Sequence, residues 1–127
     1  MISRLRYWQR IFSTYLLGGK SNLSFWHGEP EINDLSNYDK LDQYYMKFYA
    51  KAKHDGHFDK NGIPMLNYQG DIGIKYNPIA VSQWSLGNYN LWRKNNTQEN
   101  YRNFIKGADW LNENLEINDF NVHVWQH

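Results

Sequence analysis

The run Tyr76-Asn77-Pro78-Ile79-Ala80-Val81-Ser82-Gln83-Trp84-Ser85-Leu86-Gly87-Asn88-Tyr89 decides how this chain is read. Asn77 followed by Pro78 is a helix start: the Asn side chain caps free backbone N–H groups, and Pro at the first helical position lacks the N–H that would go unpaired. The helix is expected to run to about Lys94. Ala80, Trp84, Gly87 and Leu91 make one stripe along it, and Ile79, Gln83, Leu86 and Tyr89 make another. A helix with two such faces is covered on two sides, as in a layered helical array. Asn95-Asn96-Thr97 breaks it, and Thr97 opens a second helix to about Asn114. Tyr101, Phe104, Ile105, Ala108, Leu111 and Leu115 form its stripe; Trp110 points the opposite way and needs a second partner. The short link makes residues 77–115 an antiparallel helix pair.

Upstream, Gly62 to Tyr68 is an extended run in which Pro64, lacking a ladder donor, restricts the strand to an edge or bulge position. Tyr44 to Phe48 alternates as a strand does, with the turn-rich loop Lys53–Gly62 between the two runs. A small β-hairpin-like excursion is therefore expected. Residues 21–43 carry Gly28-Glu29-Pro30, Asn33-Asp34 and Ser36-Asn37 and read as an irregular acidic connector. Leu5, Trp8, Phe12, Tyr15 and Leu16 fall at helical spacing in Met1–Leu17, which reads as an amphipathic docking helix ended by Gly18-Gly19. The same segment is a poor signal-peptide core, which makes the cytoplasm the expected compartment. Gly19-Lys20-Ser21 resembles the end of a phosphate-binding loop, but Thr14 stands where that motif needs Gly, and the segment follows a helix rather than a strand.

A chain of 127 residues has room for one domain. Its 14 basic and 13 acidic residues balance, so it lacks the basic excess of a nucleic-acid binder. No stretch is long and apolar enough for a transmembrane helix. With no cysteine there is no disulfide, thiolate metal site or cysteine nucleophile. His54, Asp55, His57 and Asp59 are close in sequence but lack a third metal ligand of known spacing, and a solvated loop is expected. His123 and His127 do not read as ligands, and no metal or cofactor is expected. Asn22-Leu23-Ser24 and Asn95-Asn96-Thr97 fit glycosylation sequons, as chance allows in a chain with 16 Asn.

Aromatic residues reach 17 %, including ten Tyr and six Trp. Codon bias accounts for the Asn excess as well as a saccharide-handling surface does, in which aromatic faces stack on sugars and amide tips bond their hydroxyls. Gln83 sits on an otherwise apolar stripe, where an unpaired amide costs about 1–3 kcal/mol, so it has either a protein partner or a polar ligand. Tyr76 lies just ahead of a helix N-terminus, a place suited to a carboxylate.

The pattern Gly62-Ile63-Pro64-Met65-Leu66 with Tyr68, then Tyr76–Trp92, then Ala108–Asn114, resembles the C-terminal helical domain of the D-glucuronyl C5-epimerase family. The resemblance covers roughly residues 44–127, with 1–43 as an N-terminal helix and connector. It implies a mainly α fold, part of an (α/α) toroid, and epimerisation of glucuronic acid units to iduronic acid within a polysaccharide, without a nicotinamide cofactor. One group takes the C5 proton, another returns a proton to the opposite face, and donors or cations hold the carboxylate as charge moves onto it. Substrate-binding roles carry over to Tyr76, Asn77 and Gln83, with Tyr68 a weaker candidate and Lys75 placed to meet a uronate carboxylate; the catalytic residues stay unassigned. The family domain continues through further helices, so a fragment is expected, completed by those helices or by a second copy over Trp110, Val122, Val124 and Trp125. The alternatives are a non-catalytic saccharide-binding or structural remnant, or another uronate-acting toroid enzyme, a hydrolase or lyase. The latter needs paired carboxylates; Asp109 and Glu113 are the only close pair at helical spacing and read as a solvated face.

Overall fold

A computed structural model describes residues 5, 8–9, 11–13, 16, 31–37, 39–40, 42–68 and 70–125. Helices dominate, accompanied by small antiparallel sheets. The order is α1 (Tyr49–Ala52), β1 (His57–Phe58), β2 (Pro64–Asn67), β3 (Ile74–Lys75), α2 (Pro78–Asn95), α3 (Gln98–Glu113), β4 (Glu116–Ile117) and β5 (His123–Val124).

Helix α2 starts as the Asn-Pro pair predicts. Asn77 is extended, and its Oδ1 accepts from the N–H groups of Ile79 (3.0 Å) and Ala80 (3.1 Å). The helix ends on Asn96 in the left-handed region (φ 53°), whose N–H donates to Trp92 O. Asn tolerates that conformation better than most residues. Thr97 returns to extended backbone, and α3 begins one residue later. Contacts between Trp92 and Tyr101, Asn88 and Asn103, and Ser85 and Phe104 descend along one helix as they ascend the other, so the pair is antiparallel.

The face that α3 turns to α2 includes Tyr101 and Phe104 of the expected stripe, whose rings meet Trp92 and Tyr89, and adds residues outside it. Gly107 is its only buried residue among those described; a Cβ there would lie 2.7 Å from Ser85 Cβ. Asn100 and Asn103 both donate to Asn88 Oδ1, and Tyr101 stays partly exposed. A small residue and two amides thus bring the helices together, because absence of a side chain permits close approach and buried amides pair across the seam. The other side of α2 is covered by α1 and β2, as two apolar faces require. Gly87 lies so close to α1 that a Cβ would sit 2.3 Å from Phe48 O. Ala80, Val81, Trp84 and Ile63 form the buried apolar core among the described residues, with Phe58 edge-on to Trp84.

The expected strand at Tyr44–Phe48 is not formed. The segment makes one bridge, Met46 with Ile32, and Phe48 turns left-handed (φ 51°) into α1. Asn90 of α2 explains this: its Oδ1 accepts from Tyr44 N–H (2.8 Å), and its Nδ2 donates to Met46 O (2.8 Å) and Lys47 O (3.2 Å). One edge of the segment pairs with the backbone of Glu31 and Asn33, and on the other edge a side chain takes the place of a neighbouring strand. The hairpin is instead β1–β2, with Phe58 opposite Pro64, so the residues 57–58 belong to a strand rather than to a loop. Strand β3 joins β2 farther along, at Leu66 and Asn67, leaving Pro64 with a neighbour on one side. The missing proline donor therefore costs no ladder bond on the open side.

After α3 the chain folds into the β4–β5 hairpin, whose Trp125 Nε1–H donates to Leu111 O (2.7 Å). Ile117, Phe120, Val122 and Trp125 remain exposed there. Trp110 has the second partner it needed: its ring lies 5.1 Å from that of Tyr76. Near the start, Leu5, Trp8, Phe12 and Leu16 lie in helical backbone with exposed side chains. Tyr15, Gly18-Gly19 and residues 21–30 lie outside the described residues. No helix among the described residues is long and apolar enough to cross a membrane.

Candidate functional site

Tyr68, Lys75, Tyr76 and Asn77 lie where β2, β3 and the start of α2 converge, and Gln83 stands apart along the helix. The turn after β1 is organised by Asp59, whose Oδ1 accepts from Asn61 N–H (2.9 Å) and Ile63 N–H (2.8 Å). Its Oδ2 accepts from the Tyr76 hydroxyl at 2.8 Å. Burial alone would raise the Asp59 pKa, but hydrogen bonds from Ile63, Tyr76, Asn61 and Gly62 outweigh it and hold the carboxyl below its ordinary value. The same bond to Asp59, aided by burial and the carboxylate's charge, raises the Tyr76 pKa. Tyr76 is therefore a neutral phenol at physiological pH, and its proton is committed to Asp59. Trp110 closes over the Tyr76 ring from α3.

Asn77 is buried, with its oxygen spent on the helix cap and its Nδ2 donating to the Tyr68 hydroxyl. Tyr68 is 40 % exposed, so its ring and remaining lone pair face solvent beside Tyr76 and the helix start. Lys75 is exposed on β3, opposite Leu66. Gln83 lies a turn and a half further along α2, half-buried, and its Oε1 is enclosed without a hydrogen-bond partner. Of the two roles open to Gln83, pairing with protein is not met at that oxygen. Asp109 and Glu113 are both exposed. Among the described residues no three His, Asp or Glu side chains gather as a metal set; His54 Nε2 instead lies 3.2 Å from His57 O.

The arrangement can present aromatic surface, a phenol oxygen and an ammonium to a polar ligand. The one carboxylate at its centre, Asp59, is engaged by the Asn61 and Ile63 N–H groups and the Tyr76 hydroxyl, which disfavours its taking up a further proton.

No family model, curated protein or solved structure matches the chain.

A concavity away from these residues went unread in the sequence. A groove of about 480 Å³ lies where the connector crosses the helix pair, walled by Tyr44, Tyr45, Leu86, Tyr89 and Phe104. The readable signal was the paired Tyr44-Tyr45 following Asn37, Lys40 and Gln43, an aromatic pair with amides and a cation close in sequence. Turn formers in the same stretch masked it.

Proposed function

We propose that this chain contacts a uronic-acid-containing polysaccharide as part of a D-glucuronyl C5-epimerase-type protein, with the α2–α3 pair as one unit of a partial (α/α) toroid. The observation that carries the reading is the Tyr68–Asn77–Tyr76 cluster at the start of α2, formed by the motif residues on which the family resemblance rests. In such a reaction the C5–H bond breaks, the electron pair delocalises into the adjacent carboxyl group, and a proton returns to the opposite face of C5; no electron acceptor is needed. Here Lys75 and the exposed side of Tyr68 are suited to hold the uronate, while Tyr76, locked to Asp59, positions the wall against Trp110. The abstracting base is not among these residues.

The experiment is deuterium uptake at C5 of a heparosan-type polymer in D₂O, read beside direct binding of the same polymer. Uptake with binding supports an epimerase; neither one sinks the proposal. Binding without uptake supports the second reading, a non-catalytic saccharide binder. That reading is favoured by the mutual satisfaction of Asp59 and Tyr76, which leaves no free acid–base pair in the cluster.

A further inference from the structure

The groove between the connector and the helix pair has a chemistry of its own. Its floor and walls are aromatic: the Tyr44 and Tyr45 rings lie tilted with centroids 4.5 Å apart, and Tyr89 lies 5.0 Å from Phe104. Tyr89 is fixed by donating its hydroxyl hydrogen to Asp42 O (2.9 Å). Burial, a hydrogen bond with Tyr45 and the charge of Tyr45 push Tyr44 up to about 12, so its hydroxyl keeps its proton. The polar rim is rich in hydrogen-bond donors. Gln43 Oε1 is taken by Asn33 Nδ2 (3.0 Å), and Asn37 Oδ1 by Asp39 N–H (2.9 Å). Each oxygen keeps one further lone pair, and each amide still offers its NH₂ group as a donor. The one carboxylate on the lining, Asp42, is paired with Arg93 at 3.1 Å. Lys40, also on the lining, has no such partner among the described residues. Aromatic walls with donors and a cation at the rim are complementary to a sugar ring that packs its C–H face on them and carries oxygen acceptors and a negative charge. The volume falls within the roughly 300–1,000 Å³ of small-ligand sites.

We propose that this groove is a second saccharide subsite that takes a carboxylate-bearing sugar unit, its ring against Tyr45 and Tyr89 and its carboxylate toward Lys40, Asn37 and Gln43. The choice of a saccharide rests on the proposed function, whereas the place and the preference for an acidic unit come from the groove itself.

The test titrates a heparosan tetrasaccharide into the ¹⁵N-labelled full chain, with maltotetraose as the neutral probe. The expected result is that the heparosan tetrasaccharide shifts amide signals in residues 36–45 and at Leu86 and Tyr89. Lys40→Gln, an exposed change that leaves the fold intact, should weaken its binding about tenfold, the worth of one charge-assisted contact. Tyr45→Ala should weaken both probes, and maltotetraose should bind more weakly and ignore Lys40→Gln. Shifts confined to Tyr68–Asn77 would overturn the groove while leaving the saccharide reading standing. Equal binding of the two probes, indifferent to Lys40→Gln, would overturn the acidic preference. No shift with either probe would overturn the groove and the saccharide reading together.

Discussion

The Tyr76 hydroxyl donates its hydrogen to Asp59 Oδ2 across 2.8 Å, tying the residue before α2 to the turn that follows β1. Neither residue is near the other in sequence, and neither is free for other chemistry while the bond stands. Because the Asp59 pKa is lowered in the folded state, its contribution to stability is present above the ordinary carboxylate pKa and is lost as pH falls through the folded value. Asp59→Asn should lower the melting temperature at pH 7 by a few degrees. That gap should shrink as the pH drops from the ordinary carboxylate value through the lower folded-state value, below which the wild-type group is neutral too. Thermal melts of both proteins from pH 7 to pH 2 check it; a constant gap would show that the charge is irrelevant.

Asn90→Ala should be among the most damaging single changes. It strips partners from Tyr44 N–H, Met46 O and Lys47 O at once, in a residue with no exposed surface. At about 1–3 kcal/mol for each group left buried and unpaired, with partial rescue by water, a loss of about 2–4 kcal/mol is expected in urea denaturation. Asn90→Asp should fare no better, since a carboxylate would confront two carbonyls.

Two glycines act as spacers between elements, and both resist enlargement. In an exposed helix, Gly→Ala gains about 1 kcal/mol. At Gly87 the new methyl would meet the Phe48 backbone oxygen, and at Gly107 it would meet Ser85. Both should lose stability, Gly87→Ala by about 1–3 kcal/mol, as overpacking typically costs. Gly107→Ala should lose less, because the atoms it meets belong to a short side chain. Denaturation midpoints of the two variants rank them.

Gln83→Met removes an enclosed oxygen that has no partner and keeps the volume. The ligand-free protein should gain about 1 kcal/mol. If Gln83 serves a saccharide, the same variant should bind the heparosan tetrasaccharide less tightly. Paired melts and titrations separate the structural from the binding role, and a variant less stable than wild type would show that the oxygen has a partner in solution.

The C-terminal hairpin keeps Ile117, Phe120, Val122 and Trp125 on its surface. Light scattering of the purified chain should rise with concentration beyond that of a monomer. Phe120→Ser combined with Ile117→Thr should reduce it without shifting the melting temperature, since neither side chain is packed.

The two long helices were legible because their boundaries are written in local chemistry. Asn77-Pro78 and Asn96-Thr97 act on their own backbone, whatever the tertiary surroundings. The segment Tyr44–Phe48 was not legible, because the partner that replaces a strand is a side chain 44 to 46 residues away. The packed side of α3 was read only in part, through Tyr101 and Phe104, for a related reason. Hydropathy counts Asn100, Asn103 and Gly107 as surface residues, yet amide pairing and close backbone approach place them at the seam. At the candidate site, Asn77 was correctly read as a cap, but that role consumes the atoms a ligand would need. The groove was hidden because it forms only when the connector folds over Leu86, Tyr89 and Phe104.

Asn33, Asn77, Asn88 and Asn90 are all buried, and each bonds a backbone group or another amide. In effect these side chains are detached peptide units, carrying a carbonyl and an N–H to places the main chain does not reach. An apolar core can accept one oily residue for another of similar size. A donor–acceptor pair cannot be traded that way, because Asp has the shape and not the hydrogens, and Leu has neither. The interior of this protein is therefore spelled in an alphabet with few synonyms: its surface can drift in composition, while its asparagines, polar by every scale, hold the positions that tolerate least.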